Sequence, residues 1–383
     1  MAVISFARGV PAPECLPVGE LAECARAALE RDGRTILSYG PVAGYGPLRE
    51  WIAERHGVEP GRVLVTNGSL QGFVFLAQRF RGAPVLVEAP TYDRPLKILA
   101  GLGAEVVALP VDDEGLEPDT LAAELELELE HGPKPAFLYT IPTFQNPSGR
   151  TLSAERRRRV VELAREHDLL VLEDDPYGLV RFEGDPPATL FELDGGERIA
   201  YSSSFSKTIA PGVRVGYLVL PAALEAELEA IAVSTYITPA LLSQATVHEF
   251  LSRGCLEPNL ERVRGLLGAR RDAMLAALER ELSEEAAWSR PEGGYFVWLD
   301  LPRGVSAAEL LPRAAAAGVT FVPGTDFYPR GEGGAGAARL AFSFVSPDEI
   351  DEGVSRLAEL LGDGAASGRA ARGAGLPAGR SQG

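Results

Sequence analysis

Lys207 lies within SSSFSKTIAPGVRVGY, residues 202 to 217, with Ser204 and Ser206 just before it and Arg214 seven residues after it. A lysine amine can form a Schiff base with an aldehyde. Hydroxyls and a guanidinium close by can hold a phosphate. An aldehyde and a phosphate on one small molecule describe pyridoxal 5′-phosphate. A solvated lysine on a surface loop is the plain alternative. The rest of the chain must therefore supply partners for such a molecule.

Five other stretches offer them. TNGSLQG (66 to 72) ends a strand and opens a helix. The backbone N–H groups of Gly68, Ser69 and Leu70 would point out of that helix N-terminus, where a phosphate dianion is favoured. EAPTYDRP (88 to 95) places Tyr92 after a strand, where an aromatic ring could stack on a flat heteroaromatic one. YTIPTFQNPSG (139 to 149) holds Asn146 in a proline-bounded turn, and its amide can donate to an oxygen. LLVLEDDPYG (169 to 178) ends an apolar strand in three acids. A carboxylate there is costly unless it meets a cation or a donor, and a protonated pyridine nitrogen is such a cation. Asp174 precedes Tyr177 by three residues, so one turn could offer a carboxylate to the ring nitrogen and a phenol to the ring oxygen. RLAFSF (339 to 344) puts Arg339 at the start of a strand, and a planar guanidinium matches a carboxylate bidentately. Singly, these motifs read as turns, caps, acidic loops and structural ion pairs. Their order and their places at strand ends give them weight together.

Groups so far apart meet only where a fold aligns the ends of several strands. Apolar runs occur at 63–66, 84–89, 104–110, 136–140, 169–174, 199–203 and 213–220, most of them separated by helical segments. This predicts an α/β architecture with a mostly parallel sheet buried on both faces. After about residue 250 the pattern changes to one long helix over 256–282, then YFVWLDL, a helix near SAAELLPRAAAAG, the strands VTFVP and RLAFSF, and a last amphipathic helix. That order predicts a smaller α+β domain. The expected division is an N-terminal arm with a small-domain segment (1–45), a large domain (46–255), a small domain (256–361) and a tail (362–383). The tail is rich in Gly, Ala and Arg and is expected to be disordered. ELELELE (124–130) continues DTLAAEL and is expected as an acidic helix end. The run ERRRRVVELAR (155–165) is expected to spread its arginines around a solvated helix face.

Composition narrows the function classes. The 383 residues give room for about two to three domains, and 46% hydrophobic with 24% charged residues is ordinary for a globular chain. A net charge of −17 argues against nucleic acid as a partner, because phosphate neutralisation needs clustered Lys and Arg. No apolar run reaches membrane-spanning length, so no membrane partner is expected. MAVISFARGVPAPE lacks a basic leader followed by an apolar core. Cys15, Cys24 and Cys255 are odd in number and without metal spacing, which predicts a disulfide-free cytoplasmic protein. The four histidines form no HExxH-like pair, so no metal is expected.

The motifs SYGPVAGYGPLR, TNGSLQG, EAPTY, IPTFQNPSGR, EDDPYG, SFSKTIAPGVRVGY, RPEGGYFVW and RLAFS follow one another in an order that resembles the fold-type I pyridoxal-phosphate enzymes. The chain is most similar to class I/II aminotransferases of the α-aminoadipate and kynurenine group, and also to the effector domain of aminotransferase-like GntR regulators. The resemblance covers about residues 8 to 361. It implies a large domain with a mostly parallel seven-stranded sheet and a smaller α+β C-terminal domain. It implies that Lys207 carries pyridoxal 5′-phosphate, Asp174 pairs with the ring nitrogen, and Tyr177 and Asn146 bond the ring oxygen. Tyr92 would stack on the ring. Gly68, Ser69, Leu70, Ser204, Ser206 and Arg214 would surround the phosphate, joined by Tyr39 from a neighbouring subunit of a homodimer. Arg339 and Asn146 would bind the substrate carboxylate, with Gly9 and Tyr39 bordering the substrate. Leu70 stands where the family more often has glutamine and offers only its backbone. The implied activity is a ping-pong transfer of an amino group from an L-amino acid to a 2-oxo acid. Other reactions on the same cofactor, such as lyase or decarboxylase chemistry, and a non-catalytic sensor are the alternatives. The motifs leave the amino donor open, with Phe144 and Tyr236 as aromatic neighbours of the pocket.

Overall fold

Short, unbroken apolar runs build the centre of the molecule, buried at successive positions and so on both faces. The computed structural model describes residues 3–283 and 286–373. After β1 (Ile4–Ser5) come β2 (Val63–Thr66), β3 (Val85–Ala89), β4 (Val106–Asp112), β5 (Gly115–Leu116), β6 (Phe137–Thr140), β7 (Leu170–Asp174), β8 (Ile199–Ser204) and β9 (Gly216–Val219). Strands β2 to β9 form one eight-stranded sheet in the order β2-β9-β8-β7-β6-β3-β4-β5. Strands β4, β3, β6, β7 and β8 run parallel, and β9 is antiparallel to both of its neighbours. The eighth strand, β5, is a two-residue hairpin partner of β4. It is too short to leave a period in the sequence.

Helices cover both faces. They are α1 (Val18–Ile36), α2 (Gly46–His56), α3 (Ser69–Arg79), α4 (Asp93–Leu102), α5 (Pro118–His131), α6 (Ala154–Glu166), α7 (Leu190–Asp194), α8 (Glu225–Tyr236) and α9 (Leu241–Ser252). Val65, Leu86, Leu138 and Val171 pack toward α2, α5, α6 and α9. Their sequence neighbours Leu64, Val85, Phe137, Tyr139 and Leu172 pack toward α3, α4 and α8. Burying each such large apolar side chain contributes about 1.5–3 kcal/mol. The acidic run 124–130 lies within α5.

The remaining elements are α10 (Leu256–Leu282), β10 (Ala287–Trp288), β11 (Phe296–Asp300), α11 (Ala307–Ala316), β12 (Val319–Thr320), β13 (Val322–Pro323), β14 (Ala337–Ala341) and α12 (Pro347–Gly373). They make an antiparallel sheet, β10-β11-β14-β13, over a second core that includes Phe6, Met274, Phe296 and Leu340. Strand β1 pairs in parallel with β12, which ties the chain start to this unit. Among the described residues no helix is long and apolar enough to cross a membrane.

Two expectations need correction. Arg339 sits in the middle of β14, opposite Trp298 and Val322, not at its start. The strand begins two alanines earlier, and alanine gives little strand signal. Helix α12 runs to Gly373, past the boundary expected at 361. Residues 374–383 lie outside the described residues. Arg157 does not face solvent: it is fully buried and donates to the carbonyls of Pro142 and Leu152 and to the Thr143 hydroxyl. The loop before α6 has buried carbonyls that require donors, and the inward face of α6 supplies one.

Candidate active site

The C-terminal ends of the parallel strands lie along one edge of the sheet, the usual place for a ligand in an open α/β fold. Tyr92 follows β3, Asn146 follows β6, Asp174 ends β7 and Lys207 follows β8. Strand β2 runs in the same direction as these strands and delivers Gly68, Ser69 and Leu70 to the same edge. A cavity of about 390 Å³ opens there, walled by Gly9, Gly68, Ser69, Leu70, Tyr92, Asn146, Asp174, Tyr177, Ser204, Ser206, Lys207, Arg214 and Arg339. Every expected site residue but Tyr39 is in this wall. Tyr39 is 83% exposed, away from the cavity of its own chain.

Successive residues of a strand face opposite sides of the sheet, so Glu173 and Asp175 turn to one side and Asp174 to the other. Glu173 accepts from the N–H groups of Leu190 and Phe191 and faces Arg157 at 3.7 Å. Asp175 accepts from the Gly178 N–H at 2.7 Å and the Tyr201 hydroxyl at 3.0 Å. Only Asp174 enters the cavity. Its Oδ2 accepts from the Tyr139 hydroxyl at 2.9 Å, while its Oδ1 is buried without a partner. Burial pushes the Asp174 carboxyl up to about 6, with Asp175 adding to the rise and the Tyr139 and Ser202 hydroxyls opposing it. A buried carboxylate oxygen without a donor fits a ligand that brings a cationic N–H.

Lys207 donates from Nζ to the Gly9 carbonyl at 2.8 Å and lies 4.9 Å from the Tyr295 ring centre. Burial, with Arg339 and Arg214 nearby, pushes its ammonium down to about 8. An amine with that value is partly neutral, and so nucleophilic, near neutral pH. Arg339 lies between the rings of Phe296 and Phe327, at 4.3 and 5.0 Å. It donates to Asn146 Oδ1 at 2.9 Å and to the Ala7 carbonyl at 3.0 Å, and its Nε is buried without a partner. Burial pushes it down to about 10, which leaves it charged at neutral pH. Because Asn146 accepts through its oxygen, its amide N–H groups stay free to donate. Burial raises the Tyr177 hydroxyl, which keeps it a neutral donor.

The opposite end of the cavity suits a phosphate. Helix α3 has no side-chain cap, and the N–H groups of Ser69 and Leu70 are open, whereas those of Gly68 and Gln71 donate to the carbonyls of Thr66 and Gly68. Gly68, at φ +87°, passes beneath the Arg214 guanidinium, and a Cβ there would collide with it. Gly216 lies against the Gly68–Ser69 backbone, where a Cβ would also collide. Arg214 donates to the Asn67 carbonyl at 3.0 Å. Ser204 donates to Ser206 Oγ at 2.8 Å. At the other wall, a Cβ on Gly9 would come within 2.5 Å of the Phe296 ring that stacks on Arg339.

Several neighbours had no signal in the sequence. Tyr295 was legible only as strand, yet its hydroxyl reaches the Lys207 carbonyl at 3.3 Å. Asp93, Arg94, Ile141 and Phe296 also line the cavity. Phe144 and Tyr236 do not. Phe144 is fully buried under Arg181, and Tyr236 packs on Phe75. A separate cleft of about 520 Å³, near Arg150, Arg181 and Trp288, contains none of the expected site residues.

The cavity suits a ligand that brings a phosphate and a cationic ring nitrogen, and comparison with known proteins gives the family. Residues 7–357 match the family described as aminotransferase class I and II. The chain is 40% identical to a 2-aminoadipate transaminase of Thermus thermophilus, over 94% of this chain and 90% of that protein. It is 37% identical to an aromatic-amino-acid aminotransferase of Thermococcus litoralis, over 94% and 88% of the two chains. A kynurenine aminotransferase of Pyrococcus horikoshii, solved in complex with PMP, superposes with a TM-score of 0.91 at 36% identity, covering 95% of this chain and 92% of that one. The chain belongs to the class I and II aminotransferases. It is a pyridoxal 5′-phosphate-dependent transaminase that moves an amino group between an amino acid and a 2-oxo acid.

Proposed function

We propose that the cavity at the sheet edge performs both half-reactions, with each residue in the following role. Lys207 holds the cofactor covalently through Nζ. Asp174 Oδ1 accepts from the ring nitrogen, Tyr177 and Asn146 donate to the ring oxygen, and Tyr92 covers one ring face. Gly68, Ser69, Leu70, Ser204, Ser206 and Arg214 hold the phosphate. Arg339 takes the substrate α-carboxylate, held in place by Asn146 and by the two phenylalanine rings. Gly9 leaves room for the substrate beside Phe296. The cofactor, when bound, supplies an electron sink for the pair left at Cα. With the cofactor held there, Lys207 Nζ would be the base that takes up the substrate Cα proton and the acid that gives it back. Asp174 keeps the ring nitrogen protonated throughout. Water would supply the keto oxygen of the first 2-oxo acid as it leaves without its amino group, and a second 2-oxo acid would take that amino group up in the same cavity, with the same residues acting in reverse.

The observation that carries this reading is the convergence on one cavity of a depressed amine, a buried carboxylate oxygen without a donor, and a buried arginine with an unpartnered Nε. Borohydride treatment of the holoenzyme, followed by proteolysis, tests it. The phosphopyridoxyl label is expected on Lys207. A label on another lysine contradicts the assignment.

The same reading makes the enzyme a cytoplasmic homodimer with shared sites, and divides it at residues 45, 255 and 361. Leu37, Tyr39, Ile237 and Leu242 are exposed apolar residues. They are brought together where Gly40 and Thr238 hydrogen-bond in both directions, at 2.9 and 2.7 Å. A patch of this kind supports association. From it, Tyr39 would reach the phosphate in the partner's site. Tyr39→Ala is expected to lower cofactor affinity roughly tenfold, the value of one hydrogen bond to a charged group. Sedimentation should still show a dimer. Unchanged affinity, or a wild-type monomer, contradicts the shared site.

A further inference from the structure

Tyr139 and Asp174 stand on the same face of the sheet. Strands β6 and β7 pair in parallel, with Phe137 opposite Leu170 and Tyr139 opposite Leu172. Residues two apart share a face, so Asp174 lies on the Tyr139 side, one step beyond Leu172. The Tyr139 ring is 1% exposed and packs edge-on against Phe73 at 5.1 Å. Its hydroxyl has one proton, and it donates its hydrogen bond to Asp174 Oδ2 at 2.9 Å. Oδ1 of the same carboxylate is the buried oxygen without a partner.

We propose that Tyr139 is a positioning residue for the transamination: its hydroxyl fixes the Asp174 carboxylate so that Oδ1 is the oxygen presented to the cofactor's ring nitrogen. This rests on the role given to Asp174 above. A bare carboxylate at a strand end can rotate about two side-chain torsions. A donor on one oxygen removes that freedom and directs the other. The hydroxyl also opposes the effect of burial. Asp174 is faced by Tyr139 from β6, Ser202 from β8, its neighbour Asp175, and the phenols of Tyr92 and Tyr177. Burial and Asp175 favour the neutral acid, whereas Tyr139 and Ser202 favour the anion. The ordinary alternative is a core tyrosine that has merely found an acceptor. Phenylalanine would fill that space equally well.

Tyr139→Phe removes one oxygen and no core volume. The direct readout is the affinity of the apoprotein for pyridoxal 5′-phosphate, followed by absorbance from pH 5 to 8. In the wild type, affinity should fall as pH drops through the Asp174 titration. In Tyr139→Phe the fall should begin at higher pH. At neutral pH, kcat should drop about tenfold with little change in KM, the usual scale for one buried hydrogen bond to a charged group. In an Asp174→Ala background, Tyr139→Phe should cost nothing further. Phe73→Leu, which disturbs the same packing without touching the hydroxyl, should leave the pH profile in place. If Tyr139→Phe does not fold, 3,5-difluorotyrosine at position 139 keeps the shape and strengthens the donor. It should move the acid limb to lower pH. A wild-type pH profile in Tyr139→Phe, an unmoved limb with difluorotyrosine, or an equal loss in the Asp174→Ala background would overturn the proposal. Wild-type cofactor binding and turnover in Asp174→Ala alone would instead overturn the role of Asp174.

Discussion

Lys207→Ala is expected to lower turnover by roughly 10⁴-fold or more while still binding the cofactor. Two roles vanish together in this variant. General acid–base transfer by a placed amine is typically worth ~10²–10⁴-fold, and the covalent hold on the cofactor is lost besides. The remaining contacts, from the Gly68 turn to Arg214 and Asp174, should retain pyridoxal phosphate without the covalent bond. Steady-state rates with a matched dialysis measurement of cofactor content check both halves. Turnover within tenfold of wild type would remove Lys207 from the chemistry. The pH dependence has a definite sign. Burial and the two arginines lower the ammonium to about 8 in the free protein. The neutral amine therefore grows as pH rises through that value. Cofactor capture by the wild-type apoprotein should accelerate over the same range, and Lys207→Ala should show no such limb.

Asp174→Ala is expected to slow turnover roughly 10²- to 10⁴-fold, the scale of removing one member of a buried charge pair. Substrate binding should change far less, because in the proposed arrangement Arg339 would hold the carboxylate. An exogenous small carboxylate should restore part of the loss by filling the same space. Asp175→Asn is the control. Asp175 serves the Gly178 turn and the Tyr201 hydroxyl, so its replacement should cost stability before activity. A full rate in Asp174→Ala, with a loss in Asp175→Asn, would exchange the two roles.

The strands and the types of residue at their ends were legible because both follow from short-range rules. The unbroken apolar runs in PVLVEA, AFLYT and LLVLED mark strands buried on both faces, and loops after parallel strands gather at one edge. What the sequence does not carry is direction in space. In EDDPYG all three acids read alike, and only the register of β7 sends Asp174 into the cavity and its neighbours elsewhere. Tyr139 reads as one more apolar strand residue, because its hydroxyl acts on a neighbour 35 positions away. Arg157 was hidden by three arginines beside it. The demand it answers comes from loop carbonyls that are known to be buried only once the chain has folded. Arg339 was found by its residue type but misplaced within its strand, since the alanines before it give no strand signal. Phe144 looked like a pocket residue because it is close in sequence to Asn146. The turn instead sends it under Arg181, into the core.

An amino acid alone should carry this cavity through one half-reaction. The most direct measurement is the visible absorbance of the purified holoenzyme during titration with single L-amino acids and no 2-oxo acid. The yellow band is predicted to disappear in favour of a pyridoxamine-like spectrum, to return on adding a 2-oxo acid, and to rank the amino donors by the concentration each requires. A band that persists through the titration, or that is lost with release of ammonia or carbon dioxide, would contradict the account.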